Sequence, residues 1–374
     1  MLRAPLLDAL ADVDRVVLLG DVLELRHGPL RNAMAAARPF FEDLGQALAG
    51  REIVITAGNH DHALVEPWLH ARGAEIEPLP LGVEQLMEPQ DVSPALARIA
   101  EWASPARVLV AYPGIWVRPD VYAIHGHYLD SHFTVPTFER LSVGAMGRLL
   151  GRPAASFDSV DDYEAVSAPA FAWRDAVARD SHTGGVSSAF DMVSAWSTLS
   201  EKSRDTAGSN GTRPSRRRRL LPRRPRWVSR RWAMYRLRRR IFVAAFPVAV
   251  AVLNRVGLGP LKADVSIHEL RRAGLIAMGE VAARLNLGDA YVVFGHTHRT
   301  GPLPGDDESE WRGRLGARLV NTGSWTYSSI FLTVKPGESP YWPGGCVLVE
   351  DEGPPVVMRL LLDREIAEIV PAPA

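Results

Sequence analysis

The sequence has very little cysteine, no long hydrophobic run and no apolar leader. Cys346 is the single cysteine in 374 residues, so no disulfide can form within the chain, which favours a reducing compartment. The apolar stretch Ile241–Leu253 has 13 residues and contains Pro247, whereas a membrane-spanning helix needs about 20 apolar residues. The opening residues carry an acid by position 8, and we therefore predict no signal peptide.

Acidic residues are absent from the stretch that runs from Arg213 to Arg240, which contains fourteen arginines. The whole chain has a formal net charge of zero, so the remainder carries a net charge of −14. Such a segregated run requires a partner or a function of its own. Residues from about 203 to 240 are also rich in Ser, Gly, Arg and Pro, and we predict a mobile segment there.

An apolar content of 47% is enough for a sizeable folded core. Apolar runs at 15–21 and 52–61 predict strands, and a helical pattern follows each of them. This alternation predicts an α/β fold with a parallel sheet and right-handed crossovers. Two further strands are predicted within 106–127, with turns at the sequences YPG and RPD. A helix over 266–288 and several more strands follow.

The pattern changes between Tyr128 and Asp264, where strand signals disappear and helical patterns replace them. We therefore predict that residues 1–127 and 265–374 form one α/β core. Residues 128–264 are predicted to form a helical insertion that acts as a cap on this core.

Side chains that can bind a metal ion follow four of the predicted strands. The carboxyl ends of parallel strands meet at one edge of a sheet, so these side chains are expected to lie close together. Carboxylate, amide oxygen and imidazole form a mixed ligand set, which suits Mn, Fe, Co, Ni or Zn. Taken singly, each of these residues is more typical of a turn cap or of a hydrogen-bonded polar side chain. Their repeated occurrence at the ends of four predicted strands favours a metal site. The residues are Asp21, Asn59, His60, Asp61, His125, His296 and His298.

The same stretches resemble the pattern of the calcineurin-like metallophosphoesterase superfamily, in which D-x-H, GD-x-x-[DE], GNH-[DE], His-Gly and GH-x-H follow one another. Four of these five blocks are present, at Gly20–Glu24, Gly58–Asp61, His125–His127 and Gly295–His298. The resemblance covers the predicted core. It implies a two-sheet α/β sandwich that carries two divalent metal ions at its strand ends and hydrolyses phosphate esters.

The resemblance also implies which residues hold the metals. Asp21 would bridge the two ions. Asn59, His125 and His296 would bind the second ion, and His298 would bind the first.

The remaining block residues would act on the substrate or behind the ligands. His60 would face the leaving group as a general acid, with Asp61 orienting its imidazole. Glu24, His127 and Arg299 are weaker candidates for contacts with phosphate or with the metal ligands.

The first block of the superfamily is absent, because no Asp-x-His precedes Asp21. In the superfamily that Asp and His bind the first metal, which here would keep little besides His298 and Asp21. The strand that carries the block would be missing too, and its neighbours would have open edges. Two interpretations remain. Either the true start lies upstream of Met1 and supplies the block, which we favour because losing an inner strand is costly, or the chain is a shortened, inactive relative.

The insertion resembles the helical cap of the UDP-diacylglucosamine hydrolases, which shelters acyl chains, and which accompanies the same GD-x-x-E form as Gly20–Glu24. Residues 213–253 combine the arginine run with an apolar stretch, so an anionic membrane surface is one expected partner. The alternative is that Ile241–Leu253 is a buried helix of the cap and the arginines form a solvated loop. Nucleic acid is not an expected partner, since no nucleic-acid-binding module is recognisable.

The sequence therefore predicts a metal-dependent phosphoesterase that acts on a phosphomonoester, phosphodiester or pyrophosphate. The substrate would be a small molecule, a nucleotide or a lipid. The alternative is a non-catalytic relative, membrane-associated or a scaffold, that lacks the first metal-binding block. We expect a cytoplasmic protein, with the inner face of the membrane as one candidate location.

Overall fold

The computed structural model describes residues 3–26, 28–180, 246–326 and 338–369. The predicted mobile segment at about 203–240 lies outside the described residues, and so does the arginine run within the predicted membrane-binding stretch 213–253.

The described residues contain ten strands, and most are rich in Val, Ile, Leu or Tyr, which suit a pleated and partly buried surface. They are β1 (Arg15–Leu19), β2 (Glu52–Thr56), β3 (Glu84–Met87), β4 (Arg107–Arg118), β5 (Val121–Ile124), β6 (Tyr291–Phe294), β7 (Thr300–Gly301), β8 (Arg318–Thr322), β9 (Gly345–Leu348) and β10 (Val356–Arg359).

Eight of these strands form one mixed sheet with the order β1-β2-β4-β5-β6-β8-β7, and β3 pairs with β4 off this path. Strands β1, β2 and β4 are parallel to one another, as are β5, β6 and β8, whereas β4 and β5 are antiparallel. Strands β9 and β10 form a separate antiparallel pair. The protein is thus a mixed α/β protein, as predicted, but its main sheet is not parallel throughout.

Strand β4 organises the sheet. Val110 pairs with Ile55 of β2 and with Met87 of β3, so β2 and β3 lie on opposite edges of β4. Gly114 pairs with Ile124 of β5 and also with β3, so β5 lies on the same edge as β2. Because β2 and β5 run in opposite directions, they lie end to end, and their carboxyl ends face each other.

The predicted turn at YPG is wrong, whereas the predicted turn at RPD is confirmed. Tyr112, Pro113 and Gly114 lie inside the continuous strand β4, and the chain reverses only after Arg118. The pairing register between β3 and β4 is irregular at Pro113 and Gly114. The chain therefore does not turn at YPG. Tyr112 and Pro113 lie between the part of β4 that pairs with β2 and the part that pairs with β5.

Helices cover one face of the main sheet and continue into the insertion. Ser93, Thr137 and Ser266 each begin a helix with a side-chain oxygen that accepts a backbone N–H three residues later. The helices are α1 (Ala4–Ala9), α2 (Leu30–Ala47), α3 (Glu66–Gly73), α4 (Pro89–Val92), α5 (Pro94–Trp102), α6 (Phe138–Leu149), α7 (Val160–Asp180), α8 (Ile267–Arg284) and α9 (Ile366–Ile369). Residues 246–255 are also helical.

The alternation of side chains along β2 shows how the layers pack. Ile53 and Ile55 are buried in a cluster with residues of α2 and α5. Val54 faces the opposite side, where the main sheet packs against Val347 of β9 and Val357 of β10. The β9–β10 pair therefore forms a second layer on the face of the sheet that the helices leave open.

The predicted insertion is helical where the structure describes it, since no strand occurs in 128–180 or 246–264. Its helix α7 is anchored to the core by one buried carboxylate. Glu164 Oε1 accepts hydrogen bonds from the hydroxyls of Tyr112 and Tyr128, each at 2.6 Å. Its Oε2 lies 3.2 Å from Nε2 of His62.

We expect Glu164→Ala to destabilise the protein strongly, because two buried hydroxyls lose their acceptor. At roughly 1–3 kcal/mol for each unsatisfied group, the loss is about 2–6 kcal/mol. Glu164→Gln keeps an acceptor oxygen for both hydroxyls and should cost much less. Urea denaturation followed by circular dichroism measures both, with Glu42→Ala on α2 as the control, since this side chain is 45% exposed and pairs only at the surface with Arg38. Equal midpoints for Glu164→Ala and Glu42→Ala would contradict the anchoring role.

Among the described residues, no helix is both long enough and apolar enough to cross a lipid bilayer.

Candidate metal centre

The candidate site lies where the carboxyl ends of two pairs of strands face each other. Asp21 and Asn59 follow β1 and β2, and His125 and His296 follow β5 and β6. The prediction that these ends meet at one edge of a parallel sheet is wrong in its geometry. They meet instead along one edge of β4, near its middle. Strands β1 and β2 reach this point from one direction, and β5 and β6 reach it from the opposite direction.

Four of the predicted ligands come together there. Oδ2 of Asp21 lies 3.2 Å from Nε2 of His125. Oδ1 of Asn59 lies 3.3 Å from the same nitrogen and 3.1 Å from Nδ1 of His296. Ligand atoms of Asp21, His125 and His296 all lie within 4.8 Å of one another. This donor set of two oxygens and two imidazole nitrogens fits a divalent transition-metal ion.

Hydrogen bonds behind the two imidazoles fix which nitrogen faces the centre. Nδ1 of His125 lies 2.8 Å from the carbonyl oxygen of Leu19, so Nε2 points inward. Nε2 of His296 lies 3.1 Å from both carboxylate oxygens of Asp130, so Nδ1 points inward. Outer partners of this kind orient histidine ligands and hold the tautomer that binds a metal.

The backbone at the centre adopts conformations that most residues avoid. Among the described residues, Asp21, His296 and His298 are three of four non-glycine residues with positive φ, at 54°, 59° and 61°. Such conformations cost free energy and persist where the surroundings enforce them, often at functional sites. Gly20, with φ of 78°, lies so close that a Cβ there would be 2.6 Å from Nδ1 of His125.

Buried charge explains the pKa values at the centre. Burial alone would raise the pKa of Asp21, but the charges of His125 and His60 outweigh it and hold that pKa well below its ordinary value. Burial would lower the pKa of His125, yet Asp21 raises it to about 9. Burial and the charge of Asp21 together raise the pKa of Asp61. Positive charge is therefore stabilised next to Asp21.

Asp61 makes different contacts from those expected. Its carboxylate accepts hydrogen bonds from the backbone N–H groups of four residues at 2.7 to 3.2 Å, and among the described residues no hydrogen bond joins it to the His60 imidazole. The expectation that it orients His60 is therefore wrong. A buried carboxylate that follows a strand binds the nearest free backbone N–H groups, and here three of the four belong to the loop that carries Asp21. The four donors are Asp21, Val22, Leu23 and Gly58.

Glu24 takes the position behind His60 instead. Its Oε2 lies 2.6 Å from Nδ1 of His60, and Nη2 of Arg26 lies 2.5 Å from the same nitrogen. Burial would raise the pKa of Glu24, but the hydrogen bond and charge of His60, with the charge of Arg26, lower it to about 2. Nε2 of His60 lies 3.8 Å from Oδ2 of Asp21, so His60 sits beside the centre rather than within it.

The two remaining candidates behind the ligands differ from each other. Arg299 is buried, donates to both carboxylate oxygens of Asp306 at 2.9 and 2.5 Å, and stacks on Trp311. Asp306 and Trp311 therefore hold the guanidinium, and it is not positioned to bind a phosphate group. His127 is buried against the rings of Tyr128 and Phe171, and within the described part of the chain neither of its ring nitrogens has a hydrogen-bond partner.

A second metal position is not defined by the described residues. The group of ligands that can hold an ion consists of Asp21, His125 and His296, and it does not include His298. Burial lowers the pKa of His298 to about 4, so its imidazole is neutral at pH 7. The structure therefore brings together the ligands predicted for the second ion, while the first ion remains a prediction.

Comparison with known proteins gives no identification. No protein-family model matches the chain, and no curated protein and no solved structure matches it either. The relationship to the metallophosphoesterase superfamily stays a resemblance of short sequence blocks.

Asp130 and Arg26 are the site residues that sequence reasoning missed. Asp130 lies in the 3₁₀ helix His127–Ser131, five positions after His125. Its position could have been used in the sequence, because one helical turn after a predicted ligand brings a side chain back towards the strand end. A carboxylate there predicts a contact with a ligand. No such signal exists for Arg26, whose contact with His60 depends on the fold of the loop after β1.

We expect Asp130→Asn to weaken divalent-metal binding about 10–100-fold, the usual effect of removing a carboxylate behind a histidine ligand. The amide cannot hold the His296 imidazole with the same charge and orientation. Isothermal titration with Mn²⁺ measures the affinity, and the visible spectrum of the Co²⁺-loaded protein reports the ligand geometry. The control is the exposed Asp289→Asn in the loop before β6. Identical affinities and spectra in the two variants would contradict the orienting role of Asp130.

Proposed function

We propose that this chain is a metal-dependent phosphoesterase with the two-sheet architecture of the calcineurin-like superfamily. One observation carries the proposal: Asp21, Asn59, His125 and His296 converge from facing strand ends within hydrogen-bonding distances. These residues belong to four separate sequence blocks. The superfamily pattern assigns all four to the second metal ion, with Asp21 also bridging to the first.

The ligands and their neighbours have separate tasks in this proposal. A bound divalent ion would supply Lewis-acid stabilisation of the charge that develops on phosphoryl oxygens. Asp21 and Asn59 offer it oxygen, and His125 and His296 offer it nitrogen. The hydrogen bonds of Asp61 to the backbone hold the Asp21 loop in its strained conformation.

His60 is proposed to protonate the leaving-group oxygen. Its Nδ1 lies 2.6 Å from Oε2 of Glu24. Its Nε2 lies 2.6 Å from Nη2 of Arg26 and 3.8 Å from Oδ2 of Asp21, so this nitrogen is the one nearer the centre. In this proposal the leaving-group oxygen takes the place of Arg26 beside Nε2, while Glu24 keeps the imidazole in position to donate its proton.

The cavity that contains the centre has a volume of about 2380 Å³. Typical small-molecule sites occupy about 300–1,000 Å³, so the cavity has room for a substrate larger than inorganic phosphate. We propose a phosphomonoester, phosphodiester or pyrophosphate as the reacting group, on a nucleotide, a lipid or another small molecule. A second ion bound by Asp21 and His298 belongs to the same proposal.

The proposal is tested with the purified full chain and bis(p-nitrophenyl) phosphate. Mn²⁺-dependent release of p-nitrophenolate that EDTA abolishes and fresh Mn²⁺ restores is the expected result. No hydrolysis with Mn²⁺, Zn²⁺, Co²⁺, Ni²⁺ or Fe²⁺ would contradict the enzyme reading.

A second candidate function is a non-catalytic scaffold that keeps a single ion for stability. It is favoured by the observation that the described residues bring together ligands for one ion only. The two candidates differ in one experiment, because a scaffold would gain thermal stability with Mn²⁺ and still hydrolyse nothing.

A further inference from the structure

An exposed apolar stripe runs along the helical stretch 246–255 in the insertion. Val248 and Val252 lie four residues apart, which places them on one face of the helix, and Val256 follows in the turn directly after it. Their side chains are 63%, 54% and 46% exposed, whereas Val250 on the opposite face is buried. The helix is thus attached to the protein by one face and presents aliphatic side chains to solvent on the other.

The stripe continues onto the end of α6. Leu149 and Leu150 are also strongly exposed, and the neighbouring Arg148 guanidinium lies against Gly257. Arg140 of α6 donates to the carbonyl oxygen of Leu258 at 3.1 Å. These contacts hold α6 against the residues that follow Val256, and we treat the exposed leucines and valines as one surface. We call it the aliphatic patch: Leu149, Leu150, Val248, Val252 and Val256.

Positive charge borders the aliphatic patch. Arg148 and Arg255 are exposed, and neither forms an ion pair with any residue in the described part of the chain. In the sequence, the helical stretch follows closely on the fourteen arginines between Arg213 and Arg240, where no acid occurs.

We propose that the aliphatic patch docks on an anionic lipid bilayer. Aliphatic side chains enter the boundary between head groups and acyl chains, and arginines beside them bind the anionic head groups. In this proposal the helix lies along the surface of the bilayer and does not cross it. The charge argument selects lipid over a second copy of the chain, because two copies would bring their arginines together.

The test uses flotation of the full chain with vesicles of phosphatidylcholine, with or without phosphatidylglycerol. The wild-type protein should float with the anionic vesicles and stay behind with the neutral ones. The double variant Val248→Asp/Val252→Asp should bind the anionic vesicles at least about tenfold more weakly, because it replaces two inserting side chains with repelled charges. Unchanged far-ultraviolet circular dichroism and thermal midpoint show that the variant is folded.

The matched control is Ile76→Asp/Leu79→Asp, which makes the same charge change at two highly exposed aliphatic residues between α3 and β3. It should float like the wild type. Equal flotation of both double variants would overturn the proposal, and so would a wild-type chain that ignores anionic vesicles. A wild-type dimer that Val248→Asp/Val252→Asp dissociates, without any flotation, would assign the aliphatic patch to a second copy instead. The proposal is independent of catalysis, since none of these residues contacts the metal centre.

Discussion

Asp21→Asn should reduce the affinity for Mn²⁺ by at least about 100-fold, the upper end of the effect seen for a carboxylate that only supports a ligand. Asp21 is the one carboxylate in the ligand group with His125 and His296. Its replacement removes the negative charge that raises the pKa of His125 to about 9. The amide offers a neutral oxygen in place of a charged one. Isothermal titration with Mn²⁺ measures the loss, and phosphodiester hydrolysis should fall below detection.

The control for this variant is Asp8→Asn, an exposed acid on α1. Both proteins carry the same change of charge, so a difference between them reports the position and not the net charge. If the Asp21→Asn protein bound Mn²⁺ as tightly as the Asp8→Asn protein, the proposal that Asp21 binds a metal ion would be contradicted.

His60→Ala should lower kcat by about 10²–10⁴-fold, the usual contribution of a positioned general acid, while leaving the affinity for Mn²⁺ almost unchanged. The reason is its position, since Nε2 of His60 lies 3.8 Å from Asp21 but belongs to no ligand group. Steady-state hydrolysis of a phosphodiester and Mn²⁺ titration of the same preparation separate the two effects.

A matched control exists on α3, where His70→Ala removes an imidazole whose side chain is 77% exposed. It should alter neither parameter. Substrates with good leaving groups need little protonation, so the effect of His60→Ala should shrink when the leaving group is p-nitrophenolate and grow for an alkyl ester. A loss of kcat that is equal for both esters would contradict the role of His60 as an acid.

The sequence predicted which candidate ligands lie together better than it predicted the sheet that brings them together. A carboxylate or imidazole at the end of an apolar run is visible in the sequence, and Asp21, Asn59, His125 and His296 were all found in this way. The direction of each strand is not visible, because direction depends on pairings between residues far apart in the chain. That the carboxyl ends of β2 and β5 face each other along β4 was therefore visible only in the structure.

Roles behind the ligands were harder to predict for a related reason. Glu24 and Asp61 are both acids close to His60 in the sequence blocks, and the choice between them depends on loop geometry. Asp61 faces four backbone N–H groups, whereas Glu24 reaches the imidazole. Asp130 lies in the helical insertion, where no strand pattern drew attention to it, although it holds His296.

The most direct test of the metal centre is anomalous diffraction from crystals of the full chain soaked in Mn²⁺. The account predicts an anomalous peak among Asp21, Asn59, His125 and His296, with a second peak towards His298 if two ions bind. No peak among these four residues, or a peak at another place in the protein, would contradict it.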